Sequence, residues 1–368
     1  MPALSEKILV RGLNRLGDAV MSTPALQQLR RACPDARISL LSPEKLAGLW
    51  EGQPFLDEVL ALAPSESVLA AGRRLCQQQF QKAVVFPNSV RSAIEVWLGR
   101  IPWRVGIARP GRGFFLNHAL PPRPGAVPMR KRSDREARQR IARGVAPDRF
   151  PAAAHQVRDY LYLTKELGAA SEPLPPRIVV SDRQIEQARR KFGIPAVPDG
   201  PLWFGLNPGA EYGPAKRWPA HRFAAAAVLL QQQTPGKWLI FGGADDAPLG
   251  ELVAAEMRQA GVAAKAILNL VGKTTLPDLA AALKLCRLAL TNDTGPMHLA
   301  AAVGTPVIVP FGSTSPELTG PTGAQAEIVR KPPPCAPCFR RECPVDLRCF
   351  NDITVEEVVA AARRILSA

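Results

Sequence analysis

The chain has 368 residues, with 47 lysines and arginines against 32 aspartates and glutamates, for a formal charge of +15. Apolar residues make up 46%, enough for ordinary cores, which excludes wholesale disorder. The length suits two domains, and no apolar run approaches the ~18 residues of a membrane-spanning helix.

The first apolar patch, residues 8–10, is too short for a signal-peptide core and reads as a strand. A cytoplasmic location is therefore expected, with the seven cysteines reduced. Helical pattern follows at 24–31, then strands at 38–41 and 84–86 and a short helix at 92–98. From 104 to 154 the pattern fades into Pro, Gly and Arg, which predicts long loops and one basic helix at 133–141. Helical periodicity resumes at 157–167. The stretch 169–177 (AASEPLPPR) reads as a linker, because three prolines in nine residues resist helix. Beyond it strands are predicted at 202–206, 238–241, 288–291 and 307–309. Helices are predicted at 222–232, 248–260, 277–286 and 296–303, and an amphipathic helix at 355–366. Strands alternating with helices argue for parallel βαβ units. The α/β pattern on both sides of the linker predicts two Rossmann-like domains facing a cleft, at 1–170 and 171–352. Residues 353–368 would form a terminal helix that packs back on the first domain.

Charge is unevenly spread. Twelve basic residues lie from Arg100 to Arg143, opposed only by Asp134 and Glu136. Such a stretch implies an anionic partner: nucleic acid, an anionic membrane or a phosphorylated substrate. No RNA-binding aromatic platform or zinc-finger spacing accompanies it, so no nucleic-acid partner is expected.

Four segments carry candidate chemistry. RGLNRLGDAV (11–20) joins a strand to a helix, where open α/β sheets place ligands, and lacks the G-x-G-x-x-G fingerprint. Asp18 there is either a first-turn carboxylate favoured by the helix dipole or a catalytic carboxylate. In TNDTGPMHLA (291–300), Pro296 suits a first helical position and Gly295 permits close backbone approach. The helix start offers N–H groups to a phosphate, and His298 is either packed or in contact with ligand. NPGAEYGPAKRWP (207–219) is a Gly/Pro-rich loop whose Lys216 and Arg217 clamp a diphosphate or are merely solvated. Asp245, after the next strand, either holds a ribose or caps a helix. Finally, Cys335, Cys338, Cys343 and Cys349 form a cluster that binds a structural zinc or iron or consists of reduced loop thiols.

These blocks resemble the ADP-heptose:lipopolysaccharide heptosyltransferases of glycosyltransferase family 9, through residues 11–30, 207–219 and 291–312, supported by FPNSVRSA (86–93) and the cysteine segment. The string GAEYGPAKRWP is most like the heptosyltransferase II branch. The resemblance implies a GT-B fold. It also implies inverting transfer of L-glycero-D-manno-heptose from ADP-L-glycero-D-manno-heptose to the first heptose of heptosyl-Kdo2-lipid A, at the cytoplasmic face of the inner membrane. By resemblance Asp18 is the catalytic base, with Asn14, Arg15 and Arg91 on the acceptor side. Lys216, Asp245, Asp293, Thr294, Gly295 and His298 bind the donor. No cofactor is required by that chemistry, since a lysine and helix-start N–H groups can stabilise the leaving ADP. An anionic membrane surface is an expected partner. The alternatives are heptosyltransferase I or III, a GT-B epimerase, or a basic non-catalytic nucleic-acid-binding protein.

Overall fold

The computed structural model describes residues 5–195 and 202–367. They form two compact units, Met1–Ala126 with Ala153–Val179, and Val127–Ala152 with Val180–Ala368.

The first unit is built on β1 (Lys7–Arg11), β2 (Arg37–Pro43), β3 (Glu58–Leu62), β4 (Lys82–Val85), β5 (Trp103–Ile107) and β6 (His118–Leu120). Their spatial order is β3-β2-β1-β4-β5-β6 and every pairing is parallel. The second unit repeats the plan with β7 (Leu202–Asn207), β8 (Gly236–Ile240), β9 (Ile267–Asn269), β10 (Leu288–Thr291), β11 (Val307–Phe311) and β12 (Ala326–Arg330). Its order, read from the other edge, is β9-β8-β7-β10-β11-β12, again all parallel. Both sheets thus carry the doubly wound 3-2-1-4-5-6 order, and each reverses direction at one switch point: between β1 and β4, and between β7 and β10.

The central strands are buried because helices cover both faces of a parallel sheet. All of β10 and β11 and nearly all of β1 and β7 are inaccessible, whereas the edge strands β6, β9 and β12 contain no buried residue.

Three sequence expectations are corrected. The stretch 104–154 holds the expected loops and basic helix, here Asp134–Ala142 started by a Ser133–Glu136 capping box, but also most of β5 and all of β6, which were not expected. Its second part, Val127–Ala152, belongs to the second unit, not to the first. Arg132 donates to the Pro337 carbonyl at 2.9 Å and Arg140 to the Pro334 carbonyl at 2.8 Å, while Arg340 pairs with Asp134 at 2.5 Å. The proline-rich stretch is stitched to the first unit: Gln28 donates to the Glu172 carbonyl at 2.9 Å, and the Arg177 N–H donates to Thr23 Oγ1 at 3.1 Å. The boundary consequently falls at Val179/Val180, past the expected 170/171. The last helix, Val355–Leu366, was expected against the first domain. It instead buries Val358, Val359, Ala362 and Ile365 in the core of the second unit, with Phe204, Trp238 and Ile308.

Candidate active-site halves

In the first unit the loops leaving β1 and β4 meet at the switch point, where the Phe86 N–H donates to the Arg11 carbonyl at 3.2 Å. They open a cavity of about 360 Å³ whose wall includes Asn14, Arg15, Asp18, Asn88 and Arg109. Asp18 is the third residue of the short helix Leu16–Met21. Gln156 Nε2 reaches Asp18 Oδ1 at 3.5 Å and donates to the Tyr160 hydroxyl at 2.7 Å. Tyr160 packs on Phe86 with ring centroids 5.3 Å apart. Burial, reinforced by the Asp18 charge, holds the Tyr160 phenol well above its ordinary range, so it stays neutral.

Arginines shape the rest of this cavity. Arg123 pairs with Asp159 at 2.8 Å, both on the wall. Behind the wall, Arg112 is fully buried and donates to Asn88 Oδ1 at 3.2 Å. Burial, and then the Arg109 charge, draw its guanidinium down to about 10, which leaves it cationic at neutral pH.

Asn14, Arg15 and Asp18 are thus brought together, but Arg91 is not on the wall. It binds Glu95 at 2.8 Å and the Glu66 carbonyl at 2.6 Å. Glu95 is inaccessible and also pairs with the buried Arg11 at 2.8 Å, so it is held between two arginines, one buried and the other, Arg91, half exposed.

The second unit places its loops in the same topological position. Asn207 donates to Thr291 Oγ1 at 3.3 Å across β7 and β10. Asn292, wholly buried, accepts from the Trp218 N–H at 2.9 Å and donates to the Pro208 carbonyl at 2.7 Å. These bonds hold the loop after β7 against the turn after β10. Lys216 Nζ consequently lies 2.6 Å from Asp293 Oδ2, which also accepts from Thr314 Oγ1 at 2.5 Å. The Lys216 ammonium stands over the Tyr212 ring at 5.3 Å, and Lys131 and Arg341 flank the same ring at 5.9 Å each. Gly213 beside it has φ +141°, and a Cβ there would meet the Arg341 carbonyl at 2.7 Å, so only glycine fits.

The turn after β10 feeds the helix Gly295–Ala302, whose N-cap Thr294 makes no side-chain cap bond; His298 is buried on it. Lys216, Asp293, Thr294 and Gly295 therefore share one corner. Asp245 lies apart, exposed on the turn Ala244–Asp246. Its neighbour Asp246 does the local work: it accepts from the Gly243 N–H at 3.3 Å and pairs with Arg217 at 3.3 Å. A side chain on Gly209 would collide with that carboxylate.

The four C-terminal cysteines line one cavity of about 20 Å³ and form no disulfide. Among the described residues no group of three His, Cys, Asp or Glu side chains has the arrangement to hold a metal ion. Burial raises the Cys335 thiol to about 11, helped by Cys338 and Cys343, and raises Cys338 and Cys349 as well.

Sequence reasoning missed Gln156 and Tyr160, which sit in an ordinary helical pattern without any local signal. It also missed Thr314 and Arg341, which come from segments remote in sequence, and it read Lys131 only as part of the basic stretch, whereas the structure sets it over the Tyr212 ring. Asn88 and Tyr212 lay inside quoted blocks, where their polar and aromatic character was the available signal.

Comparison with known proteins agrees with the geometry. Glycosyltransferase family 9 (heptosyltransferase) matches residues 134–348. Lipooligosaccharide heptosyltransferase 2 of Haemophilus influenzae is 31% identical over 330 residues, covering 88% of each chain. Lipopolysaccharide heptosyltransferase 2 of Salmonella typhimurium is 29% identical, also over 88% of each. The solved structure of E. coli ADP-heptose lps heptosyltransferase II superposes with a TM-score of 0.76 at 26% identity, covering 98% of both chains. With its two parallel doubly wound sheets and these relatives, the chain has the GT-B fold and belongs to glycosyltransferase family 9, the heptosyltransferases.

Proposed function

We propose that the chain transfers L-glycero-D-manno-heptose from ADP-heptose to the first heptose of the lipopolysaccharide inner core, with inversion. The observation that carries this reading is the corner at Lys216: a cation fixed by a buried carboxylate beside an uncapped helix start. Such a corner suits a diphosphate leaving group, through the ammonium and the backbone N–H groups. The heptosyltransferase 2 relatives support the choice of sugar and acceptor.

In the reaction the acceptor hydroxyl oxygen bonds to the anomeric carbon as that carbon's bond to the diphosphate oxygen breaks. Asp18 takes the hydroxyl proton, and ADP leaves with the electron pair, its new charge met by Lys216. A base of this kind contributes about 10²–10⁴ in rate. Asn14, Arg15 and Arg109 orient the acceptor. No step draws on a metal. The enzyme works as a peripheral protein on the cytoplasmic face of the inner membrane, a setting supported by its +15 charge and its lipid-anchored acceptor. No described helix is long and apolar enough to cross a membrane.

The test is incubation with ADP-heptose and Kdo2-lipid A acceptors carrying zero, one or two heptoses, read by mass spectrometry. Addition of one heptose to the mono-heptosylated acceptor is expected. Addition only to the heptose-free or di-heptosylated acceptor would reassign the chain to the first or third transfer, and no addition to any would remove the reading.

A further inference from the structure

The first unit exposes an aromatic corner that its core does not use. Phe114, at the middle of the single turn Gly113–Phe115, is 83% exposed, and Trp97 and Val90 on the helix Val90–Leu98 are 41% and 40% exposed. They are contiguous: Trp97 lies 6.5 Å from Phe114 and 5.5 Å from Phe115 between ring centroids, and Gly111 sits against Val90. Single exposed apolar residues are ordinary, but a cluster with two large aromatics marks a contact surface.

The segment that carries this corner is strongly basic. From Phe86 to Ser133 the only acidic residue is Glu95, which is buried and paired with Arg11 and Arg91. Arg91, Arg100 and Arg109 are exposed on the same helix, its exit and the loop that leads to Phe114. Exposed aromatics framed by Arg100 and Arg109, which make no ion pair among the described residues, match the interface of an anionic bilayer, where rings enter the headgroup boundary and guanidiniums meet phosphates. The corner also adjoins the cavity of Asp18: Ser89 and Arg109 line that cavity, one residue before Val90 and five before Phe114.

We propose that Phe114, Trp97 and Val90, with Arg100, form the face by which the chain rests on anionic lipid. This rests on the reading that the acceptor is lipid-anchored, and it assigns the contact to the first unit. In the arginine-rich segment Val127–Ala152, by contrast, Arg132 and Arg140 are committed to the second unit's own loops.

The test is flotation of the full chain with vesicles of phosphatidylethanolamine, with and without phosphatidylglycerol, for the parent, Phe114→Ser and Arg100→Gln. The side chain of Phe114 is almost wholly exposed, so its replacement should leave the fold intact, which circular dichroism and turnover of a soluble, delipidated acceptor would check. Binding to anionic vesicles is expected to fall about five- to tenfold in Phe114→Ser and about threefold in Arg100→Gln, with soluble-acceptor turnover unchanged. Parent-like vesicle binding by both variants would overturn the proposal. So would a parent that ignores vesicles but turns over soluble acceptor, an outcome that leaves the function standing. A parent dimer that Phe114→Ser converts to monomer, without any lipid effect, would make the corner a protein interface and also overturn it. If the parent binds vesicles but transfers no heptose, the function fails, and the loss in Phe114→Ser still decides the lipid face.

Discussion

The two units share one topology and place their key loops at the same point, yet the chemistry of those loops differs. At the β1/β4 switch the first unit leaves an open cavity with Asp18 on its wall and arginines around it. At the β7/β10 switch the second unit packs its loops tightly. Asn292 is wholly buried, and Lys216, Asp293 and Thr314 form a closed chain of charge-assisted bonds. The doubly wound order dictates where a ligand sits, and the loop residues decide which one. An open cavity suits a large, branched sugar acceptor, and a preorganised cation suits the diphosphate common to every donor molecule. Substitutions in one unit should therefore move acceptor chemistry, and substitutions in the other should move donor binding.

The largest expected effect tests the first half of that division. Asp18→Asn keeps the shape and much of the polarity of the side chain but cannot take a proton. Turnover should fall about 10²–10⁴-fold, or roughly 3–5 kcal/mol of transition-state stabilisation, while ADP affinity measured by calorimetry stays within about twofold. A variant with near-parent kcat would return Asp18 to the role of a first-turn residue.

Next in size is Lys216→Ala, which removes the charge proposed to meet the diphosphate and takes the ion-pair partner from the buried Asp293, leaving its bond from Thr314. ADP binding should weaken about tenfold or more, kcat should drop with it, and acceptor KM should hold. Because an unpaired buried carboxylate is costly, the variant should also melt earlier; Asp293→Asn in the same background should recover part of the lost stability. Lys131→Met takes an exposed ammonium from the same ring and should raise donor KM by only about two- to threefold. A change in acceptor KM for either lysine would break the division.

Within the first unit, Arg91 and Arg11 sharpen it. Both hold Glu95, but Arg91 is half exposed and Arg11 is buried. Arg11→Ala should cost more in denaturant unfolding, up to about 3–5 kcal/mol, because it removes the buried partner and leaves Glu95 only the half-exposed Arg91. Arg91→Ala should cost about 1 kcal/mol or less with acceptor KM little changed, since the other arginine remains. A large rise in acceptor KM for Arg91→Ala would restore the acceptor-side role that the family pattern implies.

The smallest effect concerns the cysteine cavity of the second unit. Burial raises Cys335 from 9.0 to about 11, so the folded state prefers its protonated thiol. That preference contributes stability in full below pH 9 and is lost as pH rises toward 11. The thermal midpoint of the parent should fall more across that window than that of Cys335→Ala. Elemental analysis of the same samples should show whether zinc or iron copurifies; one metal per chain would mean that the thiols bind as thiolates, and the alkaline loss would then be absent.

Much of this protein is legible in the sequence. The interior strands were readable because a parallel strand covered on both faces must be continuously apolar: residues 288–291 and 307–309 coincide with or fall inside β10 and β11. The strands that escaped were chiefly β3, β6, β9 and β12, the four sheet edges. An edge strand is half solvated and short, so its composition resembles a loop, as HAL at β6 and ILN at β9 show. The strand-to-helix turns with Asp18, Lys216 and Asp293 were visible for a related reason, since glycine, proline and charge cluster where a strand must stop and a ligand must approach.

Tertiary structure alone decided the rest. Nothing local in residues 127–152 says that this segment joins the second unit; hydrogen bonds to carbonyls some 200 positions away do so. Arg91 and Arg109 are both arginines in a basic stretch, yet burial of Glu95 draws one into a bridge and leaves the other on the cavity wall. Asp245 and Asp246 are adjacent carboxylates, and only the geometry of Gly209 and Arg217 selects the second for local binding. Local sequence fixes which backbone shapes and charges are available along the chain. Which charges face each other depends on long-range packing, because a Coulomb partner is chosen by distance in space and by exclusion of water, neither of which a linear pattern records.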